Sequence, residues 1–142
     1  MPLGKRVTII GGDLVSCELA VFLAERGRQV TILESTKRVA LDMPIIMRWK
    51  VRQDLEENRV KILTGVKFEE IIKNGVIIST EEGEKLAIES NTLLLAECTK
   101  PNMQLFQDIK DQVSEEYLAG DCHELRLISG AVADGHKIAL MV

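Results

Sequence analysis

The chain has 142 residues, 46% of them apolar and 28% charged, with a formal net charge of −4. That length suits one domain with its own core, and the composition is that of an ordinary globular protein. Aromatic residues at 4% are too few for a base-stacking platform, and the acidic balance disfavours a polyanion. No apolar run approaches the ~20 residues of a membrane span, so neither nucleic acid nor membrane is expected as a partner.

Lys5 to Ile10 reads as a strand apolar on both faces, as a central parallel strand should be. It breaks at Gly11-Gly12 into a helical pattern with Leu14, Val15, Leu19, Ala20, Phe22 and Leu23 on or near one stripe. That helix ends at Arg26-Gly27, where glycine suits a left-handed cap. Gln29 to Glu34 is a second strand and Ser35 to Asp42 a loop. A helix follows from about Met43-Pro44, with proline at a first helical position, to about Asn58. Its candidate buried residues are Ile46, Trp49, Val51 and Leu55.

Val60 to Leu63 is the third strand of this kind. The pattern then changes. Val66 to Lys73, Gly75 to Thr80 and Lys85 to Glu89 read as an antiparallel meander, with Asn74-Gly75 predicting a type I′ hairpin. Thr92 to Ala96 returns to a continuous apolar run and is expected as the next central parallel strand. Beyond it come a short helical turn at Leu105 to Ile109, a short strand at Glu116 to Ala119, and a last helix over Ile128 to Met141. The expected fold is therefore α/β: a three-layer Rossmann-like domain with a central parallel sheet and an antiparallel β-meander.

The N-terminus shows no signal-peptide pattern. Cys17, Cys98 and Cys122 form no C-x-x-C pair and read as the reduced thiols of a cytoplasmic protein. Cys122 and His123 are adjacent, which is poor spacing for ligands, so no metal is expected.

Strand, glycine turn and helix open a dinucleotide-binding βαβ unit, in which backbone N–H groups at a helix N-terminus face a pyrophosphate. In the G-x-G-x-x-G frame Gly11 holds the first position, Asp13 the second and Ser16 the third. Asp13 has two compatible roles. It caps the helix, and its carboxylate and Cβ crowd an incoming phosphate. Ser16 reads as a small packing residue. Glu34 ends the second strand about 20 residues past the turn, where a carboxylate accepts from a ribose 2′-hydroxyl and favours NADH. Lys37 and Arg38 follow closely and leave NADPH open.

Three segments carry a family resemblance. Val7 to Ala20 resembles an I-G-G-G-x-V-G-x-E run, Leu93 to Asn102 an A-x-G-x-x-P-N run, and Tyr117 to Cys122 a flavin-contacting Y-x-x-G-D run. Together they resemble the NAD(P)H-binding region of FAD-dependent pyridine nucleotide oxidoreductases, most closely the C-terminal part of the 2-enoate reductase and 2,4-dienoyl-CoA reductase type. The resemblance implies a fragment of a larger enzyme. Residues 1–115 would form the NAD(P)H-binding domain and 116–142 a remnant of an FAD-binding domain whose other half is the missing partner. It implies that Gly12, Leu14 and Val15 touch the dinucleotide and that Glu18 lies near the nicotinamide end. Cys98 stands where the motif has glycine near the nicotinamide ribose, and Asp121 matches a residue that bonds flavin. FAD itself is expected only in the full-length parent.

No nucleophile–base pair and no paired carboxylates are legible, so the chain alone is not expected to catalyse a reaction; the cofactor would supply the hydride chemistry. The first functional reading is an NAD(H)-binding domain that positions NADH for transfer to flavin. The alternative is a degenerate module without nucleotide, structural or subunit-contacting in role. An S-adenosylmethionine methyltransferase does not suit the meander. Apolar surface left on the C-terminal helix by the missing half would make a homodimer interface.

Overall fold

In the computed structural model the chain divides into two compact units, Met1–Glu97 and Cys98–Val142; residues 3–96, 99–110 and 112–142 are described. β-Branched and leucine-rich runs supply the first unit's central strands. Strands β1 (Arg6–Ile10), β2 (Gln29–Glu34), β3 (Lys61–Thr64) and, after a meander, β7 (Thr92–Leu95) form one parallel sheet in the order β3-β2-β1-β7. Between them lie helices α1 (Leu14–Glu25) and α2 (Ile45–Glu57) and strands β4 (Lys67–Ile72), β5 (Gly75–Ser79) and β6 (Lys85–Glu89).

Register sorts the side chains into two faces, because successive residues of a strand point to opposite sides. Ile9 pairs with Ile32 and Leu94, and Ile32 with Ile62. These four pack in a core with Cys17, Ala20 and Leu23 of α1 and Leu55 of α2. One residue on, Leu33 pairs with Leu63. Those two join Val66, Val76, Ile78, Phe68 and Leu86 in a second core beneath the antiparallel sheet β4-β5-β6. The expected three layers are present: helices, parallel sheet, antiparallel sheet.

Several local expectations change. Among the described residues β7 ends the parallel sheet and is not a central strand, because it pairs with β1 alone, and its Leu95 is exposed. The buried edge of α1 is Ser16, Cys17, Ala20 and Leu23, whereas Val15 and Phe22 face solvent. The small side chains of Ser16, Cys17 and Ala20 let the helix lie close to the sheet, and Val15 and Phe22 are turned outward. The Phe22 ring is covered there by the Arg26 guanidinium, 3.5 Å from its centroid. In α2 only Leu55 is buried; Ile46 is 75% and Trp49 61% exposed. The helix rests on the core through its last turns, and its first turns stand clear. Pro44 is the N-cap of α2, with ψ 139°, one place before the first helical residue.

The hairpin between β4 and β5 is not of type I′. Its loop is Lys73-Asn74, Gly75 already pairs with Ile72, and the positive φ (154°) belongs to Gly75 alone. A type I′ turn requires positive φ at both central residues. Glycine is needed at 75 for another reason: an added Cβ would lie 2.0 Å from the Ile88 carbonyl oxygen.

The second unit contains α3 (Gln104–Ile109), a 3₁₀ turn at Gly120–Cys122 and α4 (Ile128–Ala139). Glu116 to Ala119 is not a strand: no strand among the described residues pairs with it, and extended backbone without a ladder is not a sheet. Asp134 of α4 accepts from the Gly120 N–H at 3.2 Å and from Arg126, tying the turn to the helix. The Arg126 guanidinium holds the Asp134 carboxyl below its ordinary range. No described helix is long and apolar enough to cross a membrane.

Gly75→Ala is expected to cost about 2 kcal/mol or more in denaturant unfolding. Leu33→Ala should cost roughly 2–5 kcal/mol. Trp49→Ala should stay within about 0.5 kcal/mol, and a larger loss would contradict the exposure of α2's first turns.

Candidate functional site

At the carboxyl end of β1 the chain must reverse without leaving its neighbour. Gly11 does this at φ 106°, a conformation open to glycine at little cost, while its N–H donates to the Leu33 carbonyl at 2.9 Å. Gly12 then lies against the end of β2. A Cβ there would sit 2.8 Å from both Glu34 Oε2 and Val39 Cγ1. The Gly12 carbonyl accepts from the N–H of Ala40, a buried residue held at φ 57°. Strand end, turn and the segment after β2 are thus locked together.

Asp13 is the N-cap of α1. Its carboxylate accepts from the Ser16 N–H at 2.8 Å and from the Ser16 hydroxyl at 2.6 Å. The Leu14 N–H is met by the Asp42 carboxylate, with both oxygens at 3.1 Å. Two donors that a helix leaves unsatisfied at its start therefore face carboxylates, which the positive end of the helix dipole favours. Glu34 is 4% exposed and accepts from the Thr36 N–H at 2.6 Å and the Ser35 hydroxyl at 3.3 Å.

The buried Cys17 thiol senses this crowding. Burial first, then the charges of Asp13, Asp42 and Glu34, push it up from 9.0 to about 12; a hydrogen bond with the Ala40 backbone opposes them.

Gly11, Gly12, Asp13, Leu14 and Glu34 are brought together at this edge. Val15 starts the outer face of α1 and is 63% exposed. Glu18 is exposed and lines a groove of about 260 Å³ between α1 and α2, with Val21 and Val51 among its neighbours. Cys98 lies outside the described residues. Asp121 is exposed on the 3₁₀ turn of the second unit. Among the described residues no group of three or more His, Cys, Asp or Glu side chains is placed to hold a metal ion.

Sequence reasoning missed Asp42 and Ala40. No local pattern joins Asp42 to an amide 28 residues away. An alanine in left-handed backbone carries no compositional signal. For a dinucleotide the site divides. The turn's backbone suits the close approach of a pyrophosphate, and the strand-end carboxylate suits a ribose. The side chains at the helix entrance do not fit an anion, since Leu14 and Ser16 already face carboxylates.

Comparison with known proteins places this geometry. The family described as pyridine nucleotide-disulphide oxidoreductase matches residues 1–135. The chain is 32% identical over 139 residues to an NADH oxidase of Thermoanaerobacter brockii, covering 97% of this chain and 21% of that protein. It is 34% identical over 135 residues to a bilirubin reductase of Mediterraneibacter gnavus (strain CC55_001C), covering 94% and 21%. A solved 2-naphthoyl-CoA reductase complex superimposes with a TM-score of 0.90 at 31% identity, over 100% of this chain and 22% of that one. The chain thus spans about a fifth of the length of these relatives.

Because the Cys17 pKa is raised on folding, the stability it contributes is whole below about pH 9 and is lost as pH climbs toward about 12. The gap in denaturant midpoint between wild type and Cys17→Ala should narrow from about pH 8 to about pH 10.5. A constant gap would show that the thiol does not titrate against the fold.

Proposed function

This chain belongs to the pyridine nucleotide-disulphide oxidoreductase family, and we propose that it is the NAD(H)-binding domain of an FAD-linked, enoate-reductase-like oxidoreductase. It would hold NADH so that hydride passes to a flavin carried elsewhere in a longer protein. The observation that carries this reading is the meeting of the Gly11-Gly12 turn, the start of α1 and the Glu34 carboxylate at the carboxyl edge of a parallel sheet ordered β3-β2-β1-β7. In open α/β sheets the crevice outside the strand ends, where the order reverses, is where such ligands sit.

The chain's own residues bind and orient; the nicotinamide would supply the hydride. Gly12 keeps the turn tight against the end of β2, since Glu34 and Val39 fill the space its side chain would take. Glu34 accepts from a ribose hydroxyl and repels a phosphate at that position, which favours NADH over NADPH. The similarity to an NADH oxidase and to reductases supports a redox role. That this chain spans only about a fifth of those relatives supports further domains in the parent, and the exposed Ile128 and Val132, one turn apart on α4, suit cover by them.

A second reading is a module of this fold that has given up nucleotide for a structural or subunit-contacting role. The occupation of the Leu14 and Ser16 amides by carboxylates favours it.

Calorimetric titration separates the two. NADH should bind about tenfold or more tightly than NADPH, and Glu34→Gln should shrink that preference. Asp13→Gly should strengthen NADH binding by roughly tenfold or more, with only a few tenths of a kcal/mol lost from the cap. No binding of millimolar-range NADH by wild type or by an Asp13→Gly, Asp42→Ala double variant would overturn the first reading and leave the second.

A further inference from the structure

We infer that Asp42 is an internal occupant of the anion position at the start of α1, and that a dinucleotide seats its pyrophosphate there only after the segment carrying Asp42 has moved away. This rests on the nucleotide reading above and adds a step to it. Leu14 is the first residue of α1, so its N–H has no partner within the helix. The Asp42 carboxylate straddles that N–H with both oxygens. A phosphate oxygen would need the same donor and carries the same charge, so the two exclude each other.

The contact is built, not incidental. On one side of Asp42, the Ala40 N–H is anchored to the Gly12 carbonyl; on the other, Met43 is buried. Between them one guanidinium reaches across from α2: Arg48 donates through Nη2 to the Leu41 carbonyl and through Nε to the Met43 carbonyl, each at 2.9 Å. The residues flanking Asp42 are therefore clamped, while the Asp42 side chain is itself exposed. Release requires giving up the Leu14 contact and loosening the Arg48 clamp. Arg48 is thus a positioning residue for the occupant.

The test uses the full chain, isotopically labelled, as wild type, Asp42→Ala and Arg48→Ala. Amide exchange at Leu14 and calorimetric NADH affinity are read on each, with circular dichroism confirming the fold. Exchange at Leu14 should be faster by about tenfold or more in Asp42→Ala than in wild type, and NADH should bind roughly tenfold more tightly. Arg48→Ala should move both readouts in the same direction by less. Equal Leu14 exchange in wild type and Asp42→Ala would overturn the contact. A freed Leu14 amide with unchanged or weaker NADH binding would overturn the competition while leaving the nucleotide reading standing. Absence of NADH binding in every form, the Asp13→Gly, Asp42→Ala double variant included, would overturn both.

Discussion

Gly12 lies so near the end of β2 that an added Cβ would come within 2.8 Å of both Glu34 Oε2 and Val39 Cγ1. The rest of the carboxyl edge follows from that approach. Because the turn is tight, α1 starts directly over the sheet, and its inward residues must be small. Ser16, Cys17 and Ala20 meet that need. Because Gly12 touches the residues after β2, its carbonyl can take the Ala40 N–H and hold a long loop in one course. A single missing side chain thus positions a helix, a strand end and a loop.

Parallel strands are readable from the sequence because a strand buried on both faces needs a largely apolar, β-branched run, and Val7 to Ile10 has one; Leu93 to Leu95 is as apolar, yet β7 ends the sheet and Leu95 is exposed. The meander is readable for the opposite reason: alternation and turn residues repeat at short intervals. Faces of helices are harder. Trp49 and Ile46 are apolar and helically spaced, and nothing in α2's own sequence says that only its last turns reach the core. Glu116 to Ala119 misleads similarly, since a strand is defined by a partner and none among the described residues pairs with it.

The site shows the same division. Gly11, Gly12 and Glu34 are legible because backbone geometry and strand ends impose them at fixed separations. Asp13 is legible as a cap because a cap acts within three residues. Asp42 acts across 28 residues and depends on how a loop is folded back, which no local window contains. Its effect is electrostatic as well as steric. Three carboxylates gather around the start of α1, where a helix turns partial positive charge outward, and the depressed acidity of Cys17 registers all of them.

The first turns of α2 have a practical side. Trp49 is the chain's one tryptophan, and it stands in solvent beside Arg48, whose guanidinium grips the loop. Its indole is therefore an intrinsic optical reporter on the helix turn that grips that loop. Emission intensity and quencher access at this one chromophore register motion of the α2 start without any attached dye. Excitation transfer from it would likewise register a reduced nicotinamide settling nearby.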